Sequence, residues 1–378
     1  SGGVFSRLGI GAKIGLIPLA MALPIGVLLA LYVSSQNADL AFSNKERVGV
    51  QFLSPLKDTL ESLQKHRSSS GLVLIGDRSF VSAEAASGKA VDAALKRLEV
   101  LSAQFKSQVN ISEAVGEALS QWDVVKNQTN AGIISAPGSL EAHTRIISLL
   151  QTTLDAVANQ SNLILDPDLD SYYTMNSSVS TLPDLLESVG LAQAQSSTIA
   201  SSRLINEAER ASLGLILGQA TGQTEELKTN LGYAVQGNAS LKADLGTLSQ
   251  SAQNETEALV NLYSNRVLNT VNLTTPVRQI YDAGNRALDT LYGIYDRNVV
   301  VLDRLIAVRV GQLEQARNLS LLAVVLVLLL VVLLITTIVR SITRPVRQLV
   351  EVVEKVGQGD LSQKASLITG DEIGVLAR

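Results

Sequence analysis

The stretch LSLLAVVLVLLLVVLLITTIV, from Leu319 to Val339, contains no charged residue in twenty-one positions. As an α-helix it would be about 30 Å long, which matches the hydrocarbon thickness of a bilayer. A second uncharged stretch, IGLIPLAMALPIGVLLALYV, covers residues 14–33. The sequence therefore predicts a membrane protein with two transmembrane helices. A cleaved signal peptide is the alternative for the first stretch, although the stretch is longer than the apolar region of a typical signal peptide.

Basic residues flank the two stretches on the sides that face the chain ends, namely Arg7, Lys13, Arg340, Arg344 and Arg347. Cytoplasmic flanks of membrane helices are enriched in Lys and Arg, so both chain ends are predicted to lie in the cytoplasm of a bacterial cell, with the helices in its inner membrane. The predicted domains are a cytoplasmic N-terminus (1–13), a membrane helix (14–33), an extracytoplasmic sensor (34–318), a second membrane helix (319–339) and a cytoplasmic segment (340–378).

The composition excludes several classes of function. The 378 residues include no cysteine, which rules out disulfides, thiolate metal sites and cysteine nucleophiles. The net charge is −4 with no long basic run, so no nucleic-acid partner is expected. The sequence contains no phosphate-binding loop and no paired nucleophile and base, and neither His66 nor His143 has a metal-ligating companion four residues later. The chain is therefore predicted not to be an enzyme and to bind no cofactor or metal.

The outer segment, 34–318, is predicted to be helical almost throughout, because apolar residues recur at spacings of three and four and turn signals are sparse. The turn signals are Gly76-Asp77, Gly88, SAPGS at 135–139, DPDLDS at 166–171 and Gly222. Its 285 residues exceed what one four-helix bundle holds. The predicted fold class is all-α, with a long-helix bundle of two stacked four-helix modules outside the membrane.

A strict heptad seam precedes the second membrane stretch and continues into it. The seam residues are Leu288, Tyr292, Tyr295, Val299, Leu302, Ile306, Arg309, Leu313, Ala316 and Ser320. This pattern predicts one unbroken helix from the sensor into the membrane. Arg309 is the one charged member of the seam, and the neighbouring Val310 can replace it with a small local shift.

Two near-identical octets lie 143 residues apart: RSSSGLVL begins at Arg67 and RASLGLIL at Arg210. Their apolar ends are continuous rather than amphipathic, which predicts one buried patch in each module. A buried arginine needs an anionic partner, because desolvation of an isolated cation is very costly. The partner of each arginine is either a carboxylate of the chain, such as Glu61 or Glu209, or an anionic ligand.

The sequence LQKHRSSSGLVLIGD, at 63–77, resembles the arginine-bearing helix of nitrate- and nitrite-sensing domains, which carry LQ-x-x-R followed by Gly and apolar residues. The resemblance implies two arginines from opposite helices that hold a small planar anion. It is partial, because the family often has Glu where this chain has His66. The outer segment also resembles the two-module helical bundles of chemoreceptors that bind organic acids. The predicted ligand-binding residues are Arg67, Arg210, Ser69, Ser212, Tyr172 and Tyr173.

The stretch DPDLDSYY, at 166–173, has three aspartates with the 1-3-5 spacing of a calcium loop. Ser171 stands where such a loop needs Gly, and Ser177 stands where it needs Glu, so a turn that starts a helix is the favoured interpretation. The stretch resembles a segment that recurs in helical sensors of many bacterial chemoreceptors. Its two tyrosines either face a ligand or pack in the core.

The last segment contains a second heptad seam, formed by Ile342, Val346, Leu349, Val353 and Val356. Pro345 lies near its start, Gly357 and Gly359 end it, and DEIG at 371–374 begins another helix. Together with Leu361, this pattern resembles a HAMP signal-relay domain. The resemblance implies a parallel four-helix bundle formed by two chains, and hence a homodimer.

These features together predict a transmembrane receptor, similar to a methyl-accepting chemotaxis protein, that detects a small extracytoplasmic anion such as nitrate, nitrite or a carboxylate. Its predicted partners are this ligand, the lipid bilayer, a second copy of the chain and a cytoplasmic kinase or adaptor. The alternatives are a sensor histidine kinase or a cyclic-dinucleotide enzyme with the same input region, a receptor for a ligand-binding protein, and a structural membrane dimer.

Overall fold

The structure, a computed structural model, describes residues 10–270, 272–360, 362, 364 and 372–376. Every regular element in this part of the chain is helical, which confirms the all-α prediction. The α-helices are α1 (Ile10–Leu74), α2 (Val81–Gln104), α3 (Ser112–Asn130), α4 (Ala136–Gln160), α5 (Leu169–Asn176), α6 (Leu182–Ser202), α7 (Glu207–Gly237), α8 (Lys242–Tyr263), α9 (Val277–Ile338), α10 (Arg344–Gly357) and α11 (Glu372–Leu376). Short 3₁₀ or π segments join several of them.

The chain divides into two compact units, one formed by 41–310 and the other by 1–40 together with 311–378. The helices α1 and α9 contribute to both units. Each of these helices is long and apolar enough to cross a membrane, and no residue of its most apolar stretch is buried. The protein is therefore an all-α membrane protein.

Within the unit 41–310, a first four-helix module consists of the second half of α1 with α2, α3 and α4. Two aromatic contacts contribute to its core: the ring centroids of Phe52 and Phe105 are 6.0 Å apart, and those of His66 and Trp122 are 4.8 Å apart. Trp122 also donates a hydrogen bond from Nε1 to Oδ1 of Asp92 at 2.8 Å. These contacts join α1, α2 and α3 of the module.

The second module consists of the continuous α5–α6 segment with α7, α8 and the first half of α9. The helix α7 packs between α6 and α8. Tyr263 of α8 donates to the carbonyl oxygen of Ile280 in α9 at 3.0 Å. A π segment, Ser177–Thr181, breaks the regular backbone ladder between α5 and α6. Asn298 of α9 donates to Oγ of Ser178 in this segment at 2.8 Å and to the carbonyl oxygen of Thr174 in α5 at 2.8 Å. Buried polar contacts therefore fix α8 and α9 against their neighbours.

The two modules lie side by side along α1. Lys57 of α1 donates to Asp296 of α9 at 3.1 Å, and three turns later Arg67 pairs with Glu187 of α6. The predicted all-α fold with two four-helix modules is confirmed, and the structure adds that helices of the second module contact α1 through these two ion pairs.

The heptad seam of α9 is confirmed on the sensor side, where its apolar members are buried: Leu288, Tyr292, Tyr295, Val299, Leu302 and Ile306. Val310 is buried in place of Arg309, in agreement with the prediction that Val310 replaces Arg309 in the seam. Two turn predictions are wrong, because Gly88 and Gly222 lie inside α2 and α7. The buried patch predicted in the second octet is also wrong in part, since Leu215 is 64% exposed on an amphipathic helix.

The helix α10, which follows the second membrane-crossing stretch, has Pro345 in its first turn and ends at Gly357. Gly359 then adopts φ 97°, a conformation that favours glycine and ends the helix as predicted. Val353 of the predicted seam is 68% exposed in the single chain. The predicted connector residue Leu361 and the motif residue Asp371 lie outside the described residues.

Close packing of α9 on α6 and α8 gives a direct test of the second module. A Cβ added to Gly284 would overlap the side chain of Gln193 and lie 2.5 Å from Oη of Tyr263. We expect Gly284→Ala to lower the free energy of unfolding by about 1–3 kcal/mol, because neither buried side chain has room to move. The measurement is denaturant unfolding followed by fluorescence of Trp122, the only tryptophan.

The matched control is Gly293→Ala on the same helix, where nothing lies within 4 Å of the added Cβ. This variant should be stabilised by about 0.5–1 kcal/mol, because alanine restricts the unfolded chain and favours the helix. Equal effects of the two substitutions would contradict the described packing of α9.

Candidate functional site

A cavity of about 320 Å³ lies where α1, α4, α6 and α7 meet. Its lining combines a few polar side chains with an apolar majority. The polar members are Arg67, Gln195, Thr198, Glu209 and Ser212. The other members are Gly71, Ala136, Pro137, Leu140, Ala194, Ile199 and Ala208. We call this space the Arg67 cavity; its size and mixed lining are those of a small-molecule site.

The cationic side chain of the cavity wall, Arg67, is buried and paired. Nη1 donates to Oε1 of Glu187 at 2.6 Å and to Oγ1 of Thr144 at 3.0 Å, while Nη2 donates to Oε2 of Glu187 at 3.0 Å. The pair is therefore bidentate, which is the strongest geometry between a guanidinium and a carboxylate. It joins α1 of the first module to α6 of the second.

A second layer of hydrogen bonds holds this pair in place. Gln64 donates from Nε2 to Oε2 of Glu187 at 2.9 Å, and its Oε1 accepts from Oη of Tyr292 at 2.7 Å. Tyr292 is buried, and burial raises the pKa of its hydroxyl well above the usual value, so the hydroxyl remains a donor. Gly190 allows the close approach, because an added Cβ would lie 3.1 Å from Nη2 of Arg67. The chain of contacts links the cavity wall to α9.

One donor of Arg67 remains available. Its Nε is buried and has no hydrogen-bond partner among the residues that the structure describes. A buried N–H group without a partner costs free energy, and a ligand oxygen in the cavity can satisfy it. The arrangement can therefore bind an acceptor, such as a carboxylate or a planar oxyanion, at the edge of a guanidinium whose other edge is already held.

The opposite wall of the cavity comes from the start of α7. Asn206 caps this helix by accepting from the backbone N–H of Glu209 at 2.8 Å, and Oε2 of Glu209 accepts from the backbone N–H of Asn206 at 2.9 Å. One turn later, the hydroxyl of Ser212 exchanges hydrogen bonds with the amide of Gln195 at 3.2 and 3.3 Å. A polar strip therefore faces Arg67 across the cavity.

The structure places the six predicted ligand-binding residues in different surroundings. It brings Arg67 and Ser212 to the same cavity. Arg210 is exposed and does not line this cavity, so the expected pair of arginines does not meet there. Ser69 is buried, where its hydroxyl donates to the carbonyl oxygen of Lys65 at 2.9 Å.

The two predicted tyrosines lie in α5, away from the Arg67 cavity. Tyr172 and Tyr173 are half-buried and pack edge to face, with ring centroids 5.2 Å apart. Tyr173 also lies 5.0 Å from Tyr233 of α7. Their contacts are those of an aromatic cluster, which corresponds to the core-packing alternative.

Three residues of the site were not predicted as ligands or partners: Glu187, Thr144 and Gln195. A fourth, Glu209, was predicted only as a possible partner of an arginine. Of these, Glu187 carries a usable signal in the sequence, since it is the one acidic residue within the apolar run from Leu185 to Val189. An isolated charge in an apolar stretch of helix indicates a buried partner of opposite sign. The distance in sequence from Arg67, 120 residues, gives no way to choose it over other acids.

The two histidines form a buried chain inside the first module. Burial above all, with help from the charges of His66 and Arg67, lowers the pKa of His143 to about 3, so this ring is neutral. Its Nδ1–H donates to the carbonyl oxygen of Ser139 at 2.7 Å, and its Nε2 therefore accepts from Nδ1 of His66 at 2.7 Å. Nε2 of His66 lies 3.2 Å from Oε1 of Glu84, which extends the chain to α2. This chain packs the module and is not part of the cavity lining.

A second charged cluster lies in the same unit around Arg309, which the heptad pattern left unexplained. Arg309 donates from Nη2 to Glu46 at 2.6 Å and from Nη1 to Asp166 at 2.7 Å and to Asp168 at 3.0 Å. Asp166 also accepts from the hydroxyl of Ser171 at 2.7 Å, so DPDLDS forms a turn held by Arg309. We call these four charged residues the Arg309 cluster. No group of residues suited to a metal ion is found in the described part of the chain.

Comparison with known proteins identifies the last segment of the chain. Residues 337–378 match the model of the HAMP domain. No curated protein matches the chain. A solved structure, that of the NasR transcription antiterminator, is similar with a TM-score of 0.59 at 14% identity, over 86% of this chain and 87% of that one. At this identity the similarity shows the fold alone.

The HAMP domain, together with two membrane-crossing helices and an all-helical unit at 41–310, gives the protein a general role. A HAMP domain relays signals from a membrane helix to an output domain. The protein is therefore a membrane-anchored transmembrane signal transducer.

The Arg309 cluster predicts a pH dependence of stability. Burial raises the pKa of Glu46 from 4.5 to about 7, with Arg309 opposing the shift and Asp166 adding to it. The carboxyl group of Glu46 therefore binds its proton more tightly in the folded protein than in the unfolded chain. The stabilisation of the fold by this proton is complete below pH 4.5 and is lost as the pH rises through 7. The fall in the free energy of unfolding between pH 5 and pH 8 should be about 2 kcal/mol smaller for Glu46→Gln than for the unmodified protein.

The measurement is denaturant unfolding at a series of pH values, followed by Trp122 fluorescence. The control is Glu99→Gln, which removes an exposed carboxylate that pairs with Lys96 on the same helix. This control should leave the pH dependence unchanged. An unchanged pH dependence in Glu46→Gln would contradict the assignment of a buried, protonated carboxyl group.

Proposed function

We propose that the protein is a bacterial chemoreceptor of the methyl-accepting type, whose outer unit detects a small ligand that carries a carboxylate or a planar oxyanion. The observation that carries the proposal is the free Nε of the buried Arg67 at the wall of a 320 Å³ cavity. Nitrate, nitrite and small carboxylates are the candidate ligands. The resemblance of 63–77 to nitrate- and nitrite-sensing domains supports the same chemistry.

The proposed location is the inner membrane, with residues 34–318 outside the cytoplasm. The basic residues that flank the two apolar stretches on the sides of the chain ends support this orientation, because Lys and Arg are retained on the cytoplasmic side. The HAMP match at 337–378 agrees with it, since a relay to cytoplasmic machinery acts inside the cell.

The proposed active form is a homodimer that acts on a cytoplasmic kinase or adaptor. In the single chain, two residues of the predicted α10 seam, Val353 and Val356, are exposed. A seam of apolar residues at heptad spacing is stabilised when parallel helices bury it against one another. A second copy of the chain supplies such helices by symmetry.

The ligand signal is proposed to leave the cavity through α9. A ligand oxygen on Arg67 changes the surroundings of the Arg67–Glu187 pair, and Gln64 connects that pair to Tyr292 of α9. The helix then continues without interruption to Ile338. A ligand shifts such a system only by its difference in affinity for two states, typically about 1–3 kcal/mol, so a short and direct route is an advantage.

The test is calorimetric titration of the full chain in lipid nanodiscs. The panel contains nitrate, nitrite and carboxylates of two to six carbons, with and without an amino group. We expect at least one of them to bind, and Arg67→Lys to weaken that binding at least tenfold. Lysine keeps the positive charge for Glu187 but has no planar fork and no Nε donor.

The matched control is Arg145→Lys, which changes an exposed arginine of α4 that pairs with Glu141. This variant should bind the ligand as the unmodified protein does. Trp122 fluorescence verifies that both variants are folded. No binding by any member of the panel, or equal binding by Arg67→Lys, would contradict the proposed site.

A further inference from the structure

The Arg67 cavity is larger than a simple inorganic anion requires. Its 320 Å³ correspond to roughly ten water molecules at about 30 Å³ each, whereas nitrate has four non-hydrogen atoms. Seven of the twelve lining residues have no polar side-chain atom, among them Pro137, Leu140 and Ile199. An occupant that fills this space therefore has an apolar part as well as a group for Arg67.

The charges around the cavity do not favour an occupant that is only anionic. The guanidinium of Arg67 is already neutralised by Glu187 in a bidentate pair. Glu209, on the opposite wall, adds a negative charge. In the neighbouring cavity, Glu141 and Arg145 pair with each other and cancel. The sum of one positive and two negative charges repels a bare anion and attracts a ligand that also carries a positive group.

Glu209 has the geometry to receive such a group. Its Oε2 accepts the capping hydrogen bond from the backbone N–H of Asn206. Its Oε1 accepts no hydrogen bond from any residue within the described ranges 10–270 and 272–360. The capping box fixes the carboxylate at the start of α7, and Glu209 is one of the residues that line the cavity.

We propose that the ligand is a zwitterion, an amino acid whose carboxylate accepts from Nε of Arg67 and whose protonated amine donates to Glu209. Its carbon chain packs against the apolar residues of the wall. This assignment rests on the proposed function, because it names the class of ligand for the same cavity. It departs from an inorganic anion as ligand, since the amine is required to balance the second carboxylate.

The test compares ligands that differ only in the amino group. Leucine is titrated against 4-methylpentanoate, 4-aminobutanoate against butanoate, and 6-aminohexanoate against hexanoate, with sodium nitrate as a separate titration. The protein is the full chain in nanodiscs, at pH 7. We expect at least one amino acid to bind ten times or more as tightly as its partner without the amine, and more tightly than nitrate.

Two variants locate the amine. Glu209→Gln keeps the capping hydrogen bond, because the amide oxygen still accepts, but removes the charge. It should weaken binding of the amino acid at least tenfold and leave its partner without the amine unchanged or tighter. The control is Glu207→Gln, an acidic residue of the same first helical turn that does not line the cavity and should change neither affinity.

The outcomes are distinguishable. Tighter binding of nitrate or of the acids without an amine, with dependence on Arg67, would overturn the zwitterion and keep the proposed site. An amino acid whose affinity is unaffected by Glu209→Gln would also overturn it. If no compound binds, or if Arg67→Lys leaves every affinity unchanged, the proposed function itself fails, and the zwitterion with it.

Discussion

The guanidinium of Arg67 is a full positive charge placed inside a helical bundle, and much of the unit 41–310 is arranged to hold it. Desolvation of an unpaired cation would cost several kcal/mol, so its partners must lie at fixed positions. They come from three helices other than its own: Thr144 from α4, Glu187 from α6 and, through Gln64, Tyr292 from α9. The ion pair therefore determines how the two four-helix modules align along α1, and the cavity forms at its free edge.

Other polar groups divide the bundle into layers that fix its register. The histidine chain lies in the first module, and the hydrogen bond from Asn298 to Ser178 of the π segment lies in the second. The Arg309 cluster joins α1 to α9 near the limits of the unit 41–310, and both helices continue beyond these limits. Apolar helices with alanine-rich faces can slide along one another, whereas buried polar pairs are satisfied in one alignment only. This requirement explains why a core with few aromatic residues has a defined geometry.

The sequence was sufficient for the features that depend on local patterns. Two uncharged stretches predicted the membrane helices, the seam from Leu288 to Ile306 predicted the buried face of α9, and the pattern around Pro345 and Gly359 predicted the HAMP domain. The contacts between the modules and the partner of Arg67 could not be predicted, because they depend on contacts between residues more than a hundred positions apart. The repeated octet suggested that Arg67 and Arg210 have equivalent surroundings, and the structure shows why they do not. The first copy ends α1 and the second begins α7, so the same letters put Arg67 inside the bundle and Arg210 in solvent.

Sensing and stability are proposed to share one structural element, the Arg67–Glu187 pair. The free Nε that recognises a ligand exists because the other edge of the guanidinium is held, and the same pair joins the modules that a ligand must move. A receptor built this way needs no separate mechanism to connect binding to α9, since the contacts that neutralise the cation already reach it.

The most direct test of this central claim is a double-mutant cycle on the pair, with Arg67→Met and Glu187→Leu, measured by denaturant unfolding with Trp122 fluorescence. Each single variant leaves one charge buried without its partner and should lose about 3 kcal/mol of stability. The double variant should lose much less than the sum, with a coupling energy of at least about 2 kcal/mol. Losses that add within about 0.5 kcal/mol would contradict the claim that this pair aligns the two modules.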